Sequence, residues 1–159
     1  MNEHRNIRAA LDRHRAASDA NDFEAEHEIY HDDAVLEYPQ SGERIRGRRN
    51  IQASRFAQPN KKRFMVRRVL GAADLWVTEF VLTYDGLPSY TVSIMEFRDR
   101  KIARETQYFG DPFEPGASRA QWVERMRRNV RDEIEATKDA ASARVRLDGN
   151  RGVSLEPPR

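Results

Sequence analysis

The chain has 159 residues, 38% of them hydrophobic, carries a formal charge of +2 and contains no cysteine. That length supplies one domain with its own apolar core, and the lack of cysteine excludes disulfides, thiolate metal sites and a cysteine nucleophile. Residues 119–159 hold ten Lys or Arg against seven Asp or Glu while residues 1–118 hold eighteen against nineteen, so the basic excess belongs to the end of the chain; with no RNP-type aromatic motif, zinc-finger spacing or dense basic run, nucleic acid is not an expected partner.

Ile7, Ala10, Leu11, His14 and Ala17 recur at intervals of three and four, which predicts an amphipathic helix with His14 on its apolar stripe. No apolar leader occupies Met1 to Arg15 and no stretch is long and apolar enough to span a membrane, so a cytoplasmic location is expected. In "NDFE", Asn21 is a candidate N-cap with Glu24 three residues on, starting a second short helix that Phe23, Ile29 and Tyr30 anchor and that ends near His31. "AVLEYP" reads as a strand with Leu36 and Tyr38 on one face and Val35 and Glu37 on the other, and "QSGE" as a turn. After Gly47, "RRNIQASRFAQP" is a third helical segment that must end before Pro59.

Strands dominate from there. "RFMVRRVLG" and "LWVTEFVLTY" alternate, "YDGLP" signals a tight hairpin into "SYTVSIMEF", and "RDRK" marks another hairpin, without glycine, into "KIARETQYF". "SRAQ" is a second capping box, and Trp122, Val123, Met126, Val130 and Ile134 predict a long amphipathic helix from Ser118 to about Ala143. Its basic face is interrupted by Glu124, Asp132, Glu133 and Glu135, so packing on protein is expected and a membrane surface is not. The expected organisation is a domain over residues 1–116, a helix over 117–143 and a polar tail over 144–159.

"HEIYH", residues 27–31, matches the HExxH motif whose two histidines bind zinc from one helix face. The motif needs a continuous helix and a third ligand. Here Asp32-Asp33 and a strand follow at once, and the remaining histidines, His4 and His14, offer no convincing ligand set. No metal is expected.

Strand parity supplies a candidate pocket. If Leu36 and Tyr38 face inward, the matching sets are Thr78, Phe80, Leu82 and Tyr84, then Thr91, Ser93, Met95 and Phe97, then Ala103, Glu105, Gln107 and Phe109. Glu105 is the outlier: an ionised carboxyl is costly to bury, so it should be paired, with Arg55 as the candidate partner, or have a raised pKa. The alternative to a functional Glu105 is a structural ion pair holding helix to sheet.

The order of elements, with "YHDDAVLEYPQSGERIRGRRNI" at the passage from helix to strand and "IMEFRDRKIARETQYFGDPF" at the end, resembles the nuclear transport factor 2-like superfamily over roughly residues 5–115, its SnoaL-like and ketosteroid-isomerase-like branches above all. "RDRK" departs from the usual "RDGK". The resemblance implies an α+β fold: a cone-shaped, strongly curved, mainly antiparallel sheet wrapped around N-terminal helices, here with an extra C-terminal helix. It also implies a pocket for a small, often apolar molecule and a homodimer through the outer sheet face. Isomerases, cyclases, dehydratases and epoxide hydrolases use such pockets, as do members without activity. The isomerase's general base falls at Tyr38, its phenol donor at His14 and its protonated aspartic acid at Ser93, so its own mechanism is not expected.

Three readings follow. The first is a cofactor-independent acid–base enzyme with Glu105 as base or acid, His14 and Tyr38 as hydrogen-bond donors, and Arg55, Phe80, Tyr84, Ser93, Met95, Gln107 and Phe109 around the ligand. The others are a pocket that binds without chemistry and a dimeric interaction module. Tyr90, Val92 and Ile94, on the outward face of a central strand, would otherwise expose a contiguous apolar patch.

Overall fold

A computed structural model of the chain describes residues 2–58 and 60–126. Helix α1 (Asn2–Ala20) is followed by α2 (Phe23–His27), strands β1 (Tyr30–Tyr38) and β2 (Glu43–Arg46), helix α3 (Arg48–Phe56), and strands β3 (Lys62–Ala72), β4 (Leu75–Tyr84), β5 (Leu87–Arg98) and β6 (Lys101–Gly110). The strands form one open mixed sheet in the order β2-β1-β6-β5-β4-β3. Among the described residues only the β1–β6 pairing is parallel; the other ladders are antiparallel. The architecture is α+β, with N-terminal helices packed on one face of the sheet.

Helix α1 docks through Ile7 and Leu11, which join Val69, Trp76, Met95, Phe97 and Ile102 in the core. One turn and two turns beyond Leu11, the same face presents His14 and Ser18, so the stripe changes from apolar to polar along its length. Asn21, with a left-handed φ of 56°, ends this helix, and Asp22 caps the next by accepting from the Ala25 amide at 3.1 Å. The expected cap at Asn21 is therefore displaced by one residue: Asn21 serves the end of α1, and a residue in that conformation cannot also open α2.

Helix α2 stops at His27, earlier than expected, because the backbone beyond it is engaged elsewhere. The Ile29 carbonyl accepts from the Ile102 amide at 2.8 Å, and Tyr30 is already in register with Ile102. "HEIYH" thus does not lie on one helix. His27 ends α2, whereas His31 is in β1 and bonds to the Arg98 carbonyl.

Gly47 adopts φ 85° at the N-terminus of α3 and donates its amide to the Ala34 carbonyl at 2.8 Å, a conformation that favours glycine. Ile51 buries the middle of α3, and Arg55 follows four residues later on the same side. The stretch after the "QSGE" turn is itself a short strand, β2, paired with β1.

Two of the three tight hairpins use two consecutive left-handed residues; the β3–β4 turn has one, Ala73 at φ 48°. Asp85-Gly86 has φ 51° and 84°; Asp99-Arg100 has 48° and 64°, so the second turn takes this shape without glycine. Between β5 and β6 the register shifts: Glu96 faces Arg104, but Phe97 faces Ile102. This bulge reverses the parity of the lower part of β6. Ile102 is fully buried in the core, and Ala103, expected inward, is half-buried and outside it.

On β3, Gly71 pairs with Trp76, and a Cβ there would come within 2.3 Å of the indole ring. Trp76 is 4% exposed and belongs to the core, so moving the ring disturbs its packing. Gly71→Ala should therefore cost about 1–3 kcal/mol by overpacking. Urea unfolding checks this, and an unchanged midpoint would mean that the ring moves freely.

Residues 1–114 form one compact unit, and residues 115–159 another. Within the second, Ala117–Trp122 is a 3₁₀ helix and Val123 is extended at φ −105° and ψ 147°. The long helix expected from Ser118 is thus interrupted at Val123, where the backbone leaves helical geometry. Its remainder to Ala143 and the polar tail lie outside the described residues.

Candidate functional site

Between α1, α2, α3 and the helix-covered face of the sheet lies a cavity of about 250 Å³. Alternation sends Thr78, Phe80, Leu82 and Tyr84 of β4 to it, with Ser93 and Met95 of β5 and Glu105, Gln107 and Phe109 of β6; β1 adds Tyr38, and the helices add His14 and Arg55. All ten residues singled out as catalytic or ligand-binding line this one space.

Glu105 is 2% exposed at the centre of a hydrogen-bonded cluster. Its Oε2 accepts from the Tyr30 hydroxyl and from Arg55 Nη2 at 3.1 Å; its Oε1 accepts from the Ser93 hydroxyl and from Gln107 Nε2 at 2.8 Å. Burial alone would push this carboxyl up, but the Arg55 guanidinium and the Ser93 and Tyr30 hydrogen bonds outweigh it and hold the carboxyl below its ordinary value. Of the two conditions expected of Glu105, pairing by Arg55 is the one met.

Arg55 bridges two acids. Its Nη1 lies 3.6 Å from Glu26 Oε1 while Nη2 binds Glu105, and its guanidinium carbon sits 5.4 Å from the centroid of the Tyr30 ring. Burial opposes the charge, but Tyr30, Glu105 and Glu26 raise the guanidinium well above its usual value. Glu26 also accepts from the buried Ser18 hydroxyl. Burial drives the Tyr30 phenol well above its usual range, so it remains a donor to Glu105.

His14 Nδ1 lies 2.6 Å from the Glu26 carbonyl oxygen. A carbonyl can only accept, so Nδ1 carries the proton. Burial, reinforced by the Arg55 charge, lowers the pKa of His14, leaving a neutral ring whose Nε2 holds a lone pair. Nε2 has no hydrogen-bond partner among the described residues, and the ring lines the cavity. Tyr38, beside Phe109 at 5.9 Å, keeps its proton because burial raises its pKa more than Arg55 lowers it.

Four residues of this arrangement escape a reading of the sequence. Glu26 and His27 look like an exposed helix end, yet they are 2% and 1% exposed. Burial, with Arg55 adding to it, lowers the pKa of His27 to about 4, and the ring stacks on Tyr30 at 5.7 Å. Tyr30 itself reads as a core anchor and not as a donor. Lys62 belongs to a strand whose inward parity follows once Lys62 is set opposite Tyr84 and Phe64 opposite Leu82. Among the described residues, no group of three or more His, Asp or Glu could hold a metal ion, and no helix is long and apolar enough to cross a membrane.

An open mixed sheet that cradles helices over a side-chain-lined cavity is the small-molecule pocket architecture of the nuclear transport factor 2-like fold. The SnoaL-like domain pattern matches residues 11–105, more than half of the chain, and the protein belongs to that family. It is 55% identical to a nuclear transport factor 2-like protein of unknown function from Burkholderia xenovorans, with a TM-score of 0.72 over 78% of this chain and 98% of that one. A candidate ketosteroid isomerase from Kribbella flavida shares the fold at 23% identity, with a TM-score of 0.72 over 79% of this chain and 93% of that one. An LEH-like epoxide hydrolase of M. tuberculosis shares it at 22% identity, with a TM-score of 0.56 over 66% of this chain and 83% of that one. None of the curated proteins is matched.

Proposed function

We propose that the chain is a cofactor-independent enzyme that moves a proton on a small, largely apolar substrate, in the manner of an isomerase, cyclase or dehydratase. The observation that carries this reading is the state of His14: a neutral imidazole, fixed through Nδ1, with an unpartnered Nε2 on a ring that lines the cavity. That is the arrangement of a general base. Tyr38 keeps its phenol proton and serves as donor to a substrate oxygen. Glu105, with four donors and an ionised carboxyl, is a positioning residue: it orders Arg55 in the cavity lining and Tyr30, whose ring packs edge-on against His14 from behind it. Phe80, Met95 and Phe109 provide the apolar surface.

Native mass spectrometry of freshly isolated protein should reveal a bound small molecule, and the identified compound should then be converted on incubation with the wild-type chain. A protein that carries its compound unchanged would instead be a binding module of the same fold.

The reading extends to a homodimer through the outer face of the sheet. Tyr90, Val92 and Ile94 on β5 are half-buried within one chain, and Tyr108 on the neighbouring β6 is 42% exposed, which leaves an apolar row for a second copy. Light scattering at micromolar concentration should give the mass of two chains. A monomer mass would remove the dimer from the reading and leave the pocket untouched.

A further inference from the structure

Most charged groups around the cavity are already engaged. Glu105 has four donors, Glu26 is held by Ser18 and Arg55, and Arg15 pairs with Asp12 at 2.8 Å. Lys62 is the exception. It is 6% exposed at the start of β3, lines the cavity, and makes no hydrogen bond or ion pair among the described residues. Its ammonium sits over the face of Phe23, 5.4 Å from Nζ to the ring centroid. The buried Nε2 of His27 and Oγ1 of Thr78 are sealed away without partners among the described residues; Lys62 Nζ is not among these enclosed atoms, and its side chain lines the cavity.

An ammonium has three donors, and leaving them unmade in a site largely removed from water is costly. A ring face offsets only part of that cost. Of the cations in the lining, Arg15 is answered by Asp12 and Arg55 by Glu26 and Glu105, which leaves Lys62 without a carboxylate at ion-pair distance among the described residues. The strands beside Lys62 contribute Phe64, Phe80, Leu82 and Tyr84, an apolar path leading away from the ammonium.

We propose that the cavity takes an amphipathic acid, an apolar molecule carrying one carboxylate, with the carboxylate on Lys62 Nζ and the hydrocarbon body along Phe64, Phe80 and Leu82. A single carboxylate supplies the missing acceptors and gives the ammonium the ion-pair partner it lacks. The inference rests on the cavity being a ligand site and adds the substrate class. His14 and Tyr38 then act on the body of the molecule, and Lys62 selects its head.

The test is isothermal titration calorimetry of the full chain with octanoate and with its neutral methyl ester. Octanoate should bind at least ~10-fold more tightly than the ester, the span of one charge-assisted hydrogen bond. Lys62→Met should abolish that preference while leaving ester binding intact, and Lys62→Arg should preserve it. Equal affinity of the wild-type chain for acid and ester would overturn the carboxylate head and leave the pocket standing; so would undiminished octanoate binding by a folded Lys62→Met variant. Binding of neither compound would overturn both the acid and the ligand site. The wild-type comparison decides the matter even if Lys62→Met does not fold.

Discussion

Exchanging Arg55 for methionine should cost about 3–5 kcal/mol of folding stability, the usual penalty for removing one partner of a buried ion pair, and should reverse the pH dependence of stability. Arg55 is the only cation within ion-pair distance of Glu26 and Glu105 among the described residues, at 3.6 and 3.1 Å, and both carboxyls are 2% exposed. In the wild-type chain the folded pKa of Glu105 lies below its ordinary value. Its stabilising contribution is therefore present above the ordinary carboxyl range and is lost as pH falls through the lowered value. Without the guanidinium, burial acts against the hydrogen bonds of Ser93, Tyr30 and Gln107 alone, and the carboxyl titrates above its unfolded value. The folded variant then binds a proton that the unfolded chain releases, so its stability falls as pH rises. Urea midpoints at neutral and mildly acidic pH should move in opposite directions for the two proteins. Equal slopes would show that Glu105 is not held by Arg55.

His14→Gln should leave fold and ligand binding in place while reducing turnover by ~10²–10⁴-fold, the usual contribution of a general base. Glutamine can still donate to the Glu26 carbonyl, which His14 Nδ1 reaches at 2.6 Å, but it offers no basic nitrogen. The pH profile separates this from a structural role. Burial, with Arg55 adding to it, lowers the pKa of His14 from 6.5, so the neutral base persists below that value and activity should fall only as pH drops through the lowered pKa. A profile of kcat/KM with its acid limb above 6.5, or a glutamine variant that turns over at the wild-type rate, would exclude His14 as the base.

Strand alternation was enough to bring Phe80, Ser93, Met95, Glu105, Gln107 and Phe109 to one cavity, because a period of two leaves little choice once one face is buried. It failed at Ala103, since the bulge between Glu96 and Phe97 has no mark in the sequence comparable to glycine. It was silent on the Glu26–Arg55–Glu105 bridge, whose members come from α2, α3 and β6 and meet only through tertiary packing. Composition misled at "EH": two polar residues at the end of a five-residue helix read as solvent-facing, whereas the fold buries them beneath α1 and against Tyr30. The alternating pattern of β3 could have disclosed Lys62.

The single parallel pairing of the sheet has a consequence for how the protein comes into being. The β1–β6 ladder joins residues such as Leu36 and Glu105, and the Tyr30 hydroxyl reaches Glu105 across 75 positions of sequence. Hairpins β3–β4, β4–β5 and β5–β6 close short loops and are inexpensive in chain entropy; joining the two ends of the domain closes a long one and is expected late. During synthesis β6 is also the last of the described strands to emerge. The floor of the cavity is therefore completed by the final strand to dock, so an emerging chain has helices and hairpins before it has anywhere to hold a ligand.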